Sequence, residues 1–433
     1  MNFQPYAVSQ SQLIGTFVPE QILRGKVLDI LPDRTALLEL GTKKFVAKVG
    51  AVDPPLEVGR DYLFQVQKNT DPLLAKVVRR ETSTRNQSSE SMADDVLSSF
   101  KLEKDPLTRK MVQVFLDHGD PLTRGAVIGA RSLLTGKSNF SRDILAIRWL
   151  MNKHLPLTSG FFQNAKALTE KESLSSHLSA LRSALEKSGA RTPTEKALAG
   201  ILSRPADDRR NLSHSEEAAF QHRTAGGNNQ ELIQNILRQV GFGHEQSLRR
   251  QVDKGEPLTE TGTLKEKLLA VLEDSSTPGL IRDLADEAIQ KITGEQIQMA
   301  AADPFVAQFS LQLPIPADDG VTDVSVYWEG KRNKRGTINP DFCTILIYLN
   351  LSRLKETLVC LRVQNRALTV TIQNKSADLG DWLKRGEPML RERLSALNYQ
   401  LVSLAQVKKL DPQLVGKATQ PLSFSSYRLD VKV

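Results

Sequence analysis

Four cations crowd residues 331–335, Lys331, Arg332, Lys334 and Arg335, in the phrase EGKRNKRGTIN. A second polar set follows at Arg362, Gln364, Asn365 and Arg366, where the chain reads LRVQNRALTV. Guanidinium groups grip carboxylates or phosphates through two parallel N–H donors, so the chemistry on offer is recognition of an anion rather than bond-making. The first set lies between strand-like runs and reads as a hairpin tip. Its charges either keep a sheet edge soluble or meet an anionic partner, protein or nucleic acid. In the second set, Val359, Leu361 and Val363 alternate with Arg362 and Gln364, which places the polar pair on the outer face of a strand, displayed to a protein partner. Gln364 and Asn365 serve equally well to satisfy backbone groups of the turn.

No residue pattern supports catalysis. His118, His154, His177, His214, His222 and His244 have no partner at triad or metal-ligand spacing. His118 and His154 stand near the ends of helical text, where a cation suits the helix dipole. GARSLLTGKS resembles a phosphate loop, but the Walker spacing needs glycine at 131, where Arg131 stands, and the text before it is helical. Thr135, Gly136 and Lys137 therefore read as a helix end. Cys343 and Cys360 fall in strand-like text without Cys-x-x-Cys or Cys/His spacing, and read as buried thiols in a reducing compartment rather than metal ligands. The expectation is a non-enzymatic protein without a cofactor.

The 433 residues are 40% hydrophobic and 25% charged, a globular composition long enough for two to four domains. The formal charge of +8 is spread along the chain. It suits an acidic protein surface or nucleic acid alike and decides neither, and nucleic acid is the less expected partner. No run reaches the ~18 apolar residues of a membrane helix. MNFQPYAVSQSQLIG has neither the basic nor the apolar region of a secretory signal, so a cytoplasmic location is expected. A specialised export route that reads a polar N-terminus stays open.

These residues need elements to hold them, and the text divides into an α+β multidomain protein. Residues 1–80 carry short alternating strands bounded by Gly, Pro, Asn and Asp, the pattern of a small β-barrel. An oligonucleotide-binding barrel would want exposed aromatics, but Phe45 and Phe64 occupy apolar alternating positions and read as core, leaving Tyr62. Residues 81–93 read as a linker, 94–202 as an all-α domain, 203–230 as a flexible linker poor in aliphatic residues, and 231–302 as a further helical segment. Pro-Leu-Thr recurs before helical text, which nominates Thr108, Thr123, Thr158 and Thr259 as helix starts. Residues 303–433 follow with five strands, one long helix and a last strand, a mixed sheet in which Leu383, Leu390, Leu394 and Leu397 turn one helix face to the strands and Asn398 ends the helix.

LNLSRLKETLVCL and PMLRERLSALNYQL resemble the C-terminal domain of the flagellar hook-length control family. The first matches its Leu-x-Pro-x-x-Leu-Gly strand phrase through Leu349, Leu354, Val359 and Leu361. The second matches Leu-Arg-x-x-Leu-x-x-x-Gly through Leu390, Arg391, Leu394 and Leu401. Leu351 stands at the family's proline, and Lys355 and Asn398 at its two glycines. The whole chain is similar to an uncharacterised, hook-length-like family of Gram-positive spore-formers. The resemblance implies protein binding in a flagellar or type III secretion setting, with the cytoplasmic domain of an export-gate protein as partner. The alternative is a nucleic-acid-binding protein that uses the barrel and the basic tip.

Overall fold

Apolar alternation in residues 22–80 becomes five strands: β1 (Ile22–Ile30), β2 (Thr35–Leu40), β3 (Lys43–Val49), β4 (Asp61–Lys68) and β5 (Leu73–Arg80). The computed structural model describes residues 18–31, 35–40, 43–50, 55–68, 73–80, 88–135, 139–170, 172–203, 237–257, 259, 262–300, 306–317, 320–332, 338–419 and 422. The chain forms two compact units, one ending at Lys166 and the other beginning at Ala167. Each contains one sheet with helices, an α+β multidomain architecture.

In the first unit the strands pair as a circuit, β1–β2–β3–β5–β4 and back to β1, with β3–β5 the parallel member. Leu23, Val27, Leu38, Ala47, Val49, Phe64 and Val66 fill its interior. Five helices follow: α1 (Ser88–Ser99), α2 (Pro106–Asp117), α3 (Arg124–Leu133), α4 (Phe140–Asn152) and α5 (Ser159–Leu168). Part of the expected linker, 81–93, is therefore helix: α1 begins at Ser88 and buries Met92 and Ala93. Its Ser- and Glu-rich start looks like loop text because serine and acidic residues also favour a helix N-terminus.

The repeated Pro-Leu-Thr phrase does not cap uniformly. Thr123 caps α3 by accepting from the Ala126 amide, and Thr158 directly precedes α5. At α2 the cap is Asp105, which accepts from Leu107 and Thr108 amides, and Thr108 is buried inside the first turn. The same acid in the second copy, Asp120, is taken by Arg148 in a mostly buried ion pair, so threonine must cap there. Thr259 starts no helix; it is held by Gln251, and the next helix is capped by Thr263.

The second unit packs α6 (Leu174–Ser188), α7 (Pro193–Ser203), α8 (His244–Asp253), α9 (Leu264–Glu273) and α10 (Gly279–Ala300) ahead of its sheet. Leu181, Leu198, Leu268, Val271, Ile281 and Ile292 share one apolar core with Leu311 and Leu313 of the sheet that follows. Apart from Ser203, the expected linker 203–230 lies outside the described residues.

The sheet comprises β6 (Val306–Ala317), β7 (Gly320–Arg332), β8 (Ile338–Leu351), β9 (Lys355–Gln364), β10 (Ala367–Asn374) and β11 (Gln400–Val407), in spatial order β11-β10-β9-β8-β7-β6. All pairs are antiparallel except β10–β11, which needs a crossover; α11 (Gly380–Ala396) supplies it. Leu390 and Leu394 pack on Val363, Leu368, Val370 and Leu401. On the other face α12 (Pro412–Thr419) brings Leu414, Val415 and Ala418 to Tyr327, Leu346, Leu358 and Cys360.

Three turns adopt the left-handed backbone: Lys355 (φ 54°) leads into β9, Asn365 and Arg366 (50° and 64°) join β9 to β10, and Asn398 (60°) ends α11. Two successive positive φ values make the β9–β10 connection a tight two-residue hairpin. Leu397 departs from the sequence expectation. It lies past the last helical residue, where the reversal at Asn398 turns it 66% exposed instead of toward the sheet.

Asn374, at the end of β10, is fully buried and fully satisfied. Its Nδ2 donates to Leu354 O (2.6 Å), Glu356 O (3.3 Å) and Thr357 Oγ1 (2.7 Å), and its Oδ1 accepts from the Ser376 and Ala377 amides, each at 2.9 Å. Asn374→Ala strands these backbone groups and should cost the second unit on the order of 2–4 kcal/mol in a denaturant melt. Leu397→Ala should stay within about 0.5 kcal/mol of wild type in the same measurement.

Candidate functional site

Strand register decides where the two cationic segments meet. Arg332 pairs with Ile338, Gly330 with Cys343, and Phe342 with Gln364; Gln364 in turn faces Ala367, which pairs with Gln400. The end of β7, the start of β8, the β9–β10 turn and the start of β11 therefore lie at one end of the sheet. Arg332 is only two residues beyond Gly330, whereas its partner Ile338 is five residues before Cys343, so β8 bulges there and Arg332 stands about one residue step (~3 Å) past the level of Gln364. Lys331 and Arg332 are the last residues of β7, while Lys334 and Arg335 lie outside the described residues.

Arg362, Gln364 and Asn365 are exposed. Arg362 lies between Thr344 and Thr369 on the face that carries Cys360, and Gln364 stands beside Phe342, which is 46% exposed. α12 packs over β7 and β8 on that face. Nearer the turn that face carries small hydroxyls, one guanidinium, one amide and one aromatic ring, with Glu329, paired to Lys417, in the same row as Arg362 two strands away.

Arg366, also exposed, is already engaged. Its Nε meets Asp341 Oδ1 at 2.7 Å, its guanidinium lies 5.7 Å from the centre of the Tyr399 ring, and its carbonyl accepts from the Gln400 amide at 2.9 Å. Tyr399 donates through its hydroxyl to Pro340 O at 3.3 Å. Arg366 therefore acts as a clasp between β8, β10 and β11, and Arg362 is the better placed of the two to grip a partner's carboxylate.

Sequence reasoning missed Phe342, Asp341, Tyr399 and the exposed Val402. Phe342 belongs to a long apolar run, DFCTILIYL, whose exposed end looks no different from its buried centre. Val402 is the extra residue where the β10–β11 register shifts, so it leaves the alternation that would have placed it.

Other candidates are absorbed by the fold. The Cys343 and Cys360 thiols are buried, and burial raises both pKa values, with Trp328 and Arg362 respectively pulling the other way. Arg131, within the phosphate-loop lookalike, reaches Asp105 (3.4 Å) and Leu134 O (3.2 Å), and residues 136–138 lie outside the described set. Tyr62 and Phe64 are buried and offer no stacking platform, and the Phe45 side chain lies outside the description. Among the described residues no cluster of three or more His, Cys, Asp or Glu is arranged to hold a metal, and no helix is long and apolar enough to cross a membrane.

No family model matches the chain, and no solved structure matches it. It is similar to YlqG of Bacillus subtilis (strain 168), described as uncharacterised, with 26% identity over 197 residues. That match covers 45% of this chain and 34% of YlqG, so the chain spans about a third of that relative's length.

Proposed function

We propose that the chain is a non-enzymatic protein-interaction protein whose C-terminal sheet binds an acidic protein surface through the end that carries Arg362, Gln364, Lys331 and Arg332. The observation that carries this reading is the register, which brings two cationic segments separated by a whole strand to the same sheet end, beside the exposed Phe342. A guanidinium near an exposed ring suits a carboxylate-bearing partner with an apolar anchor. The resemblance to the hook-length control family narrows that partner to the cytoplasmic domain of an export-gate protein, and the location to the cytoplasm. Support comes from two turns: Lys355 and Asn398 stand where that family has glycine, and both hold the left-handed backbone that glycine adopts most cheaply. We read the five-strand circuit of the first unit as a small barrel module.

Binding of the full chain to a candidate export-gate cytoplasmic domain tests the proposal. Arg362→Glu should weaken it at least ~tenfold and leave the melt unchanged. Unchanged affinity in the folded variant rejects this surface; absence of wild-type binding rejects the partner. Salt-sensitive capture of an oligonucleotide instead would support the nucleic-acid alternative. Arg366→Ala should behave differently, losing about 0.5–1 kcal/mol of stability as the Asp341 pair and the Tyr399 contact go. Arg362→Ala should be neutral in that melt.

A further inference from the structure

The seam between α10 and β6 buries side-chain oxygens that find no donor among the described residues. Glu295 and Gln298, one turn apart on α10, are both buried, as is Ser310 of β6. Gln298 Nε2 donates to Ser310 Oγ at 2.5 Å, and Glu295 accepts from the Gln312 amide. Residues 295 and 298 share a helix face and residues 310 and 312 share a strand face, so the four meet along one line. Among the described residues, three side-chain oxygens there, Glu295 Oε2, Gln298 Oε1 and Gln312 Oε1, have no hydrogen-bond partner. The nearest buried cation does not answer them: Lys291 Nζ turns to Ala167 O at 3.2 Å.

We propose that Glu295 is carried as a neutral carboxylic acid whose proton donates a hydrogen bond within this cluster, so that the α10–β6 seam is a latch that alkaline pH loosens. Of the three orphan oxygens, only the carboxyl can acquire a proton and become a donor; an amide oxygen cannot. A buried carboxylate without a partner is costly, and protonation removes that cost. Burial raises the Glu295 pKa to about 8, with Lys291 and the Gln312 amide pulling it down. Burial also lowers the Lys291 pKa, against Glu295, Glu170, Asp323 and Glu172.

The other charged groups on the packed elements are occupied. His177 of α6 faces Glu287, Asp323 of β7 accepts from the Ser175 amide, and Lys265 of α9 is held by Glu245 and Gln296. β6 itself carries no titratable residue. The sign follows from the raised value. An acid at about 8 in the fold and 4.5 in the open chain gives its full stabilisation below 4.5 and loses it as pH rises toward 8. Above that the ionised carboxylate keeps the Gln312 amide as a donor to one oxygen while Oε2 has none among the described residues, and local opening stays easier than at low pH.

The test is hydrogen exchange of the β6 amides in the full chain from pH 6 to 9.5, corrected for base catalysis, together with carbon-13 titration of the Glu295 carboxyl. In wild type, protection at Leu311 and Leu313 should fall about tenfold for each pH unit up to the carboxyl pKa and level off above it. In Glu295→Gln, whose amide donates at every pH, it should stay within about twofold. Parallel pH profiles in the two proteins overturn the latch. A carboxyl that titrates in the ordinary glutamate range overturns the neutral acid, whether Lys291 or a bound cation holds it ionised. The wild-type titration decides the question even if the variant does not fold.

Discussion

The C-terminal sheet depends on one side-chain amide. Asn374 stands where β10 ends and the chain must leave the sheet to build a helix, a place where backbone groups lose their ladder partners yet remain buried. A strand residue can meet that need only with a side chain that both donates and accepts. Asn374 does so in two directions, tying the turn before β9 to the turn before α11. Gln406 of β11 completes the arrangement by accepting from the Leu379 amide and donating to Ala377 O at 2.6 Å. With the helix start fixed at both ends, the parallel crossover closes, Leu390 and Leu394 reach the sheet, and β11 is set beside β10. The end of the sheet that presents Arg362 inherits its geometry from that closure.

Competition for the same chemical group recurs through the chain and explains where local rules hold. Asp105 caps α2 through Oδ1 while Arg131 meets its Oδ2, whereas Asp120, in the same four-residue phrase, gives both oxygens to Arg148 while Leu122 bridges to Ile22 of β1. Arg366 and Arg362 differ in the same way. Both are displayed near one turn, but one is spent on Asp341 and the Tyr399 ring. In each case a distant residue decides which of two equivalent side chains is left available.

The paired uses of buried polarity also differ in kind. Around Asn374 donors and acceptors balance, and the result is a rigid joint. Around Glu295 three side-chain oxygens lack a partner among the described residues, and the balance then rests on a proton. The first arrangement holds the sheet; the second lies where the helical core meets the same sheet at β6.

The sequence by itself determined whatever depends on near neighbours. The alternation of Val359, Leu361 and Val363 displays Arg362 and Gln364; Asn365 and Arg366 form the turn; Asn398 ends α11 in the left-handed conformation. These follow from side-chain period and the conformational tolerance of asparagine, which act over a few residues. Helix α1 hid within its own start signals, and Leu397 continued a helical stripe one residue beyond the helix. Only the tertiary structure decided that the basic arm and the β9–β10 turn share one sheet end, that Phe342 is exposed, that Arg366 is engaged, and that Glu295 is buried with one carboxyl oxygen unpartnered among the described residues. Each of these rests on a partner far along the chain, and strand register and burial are set by packing rather than by local spacing.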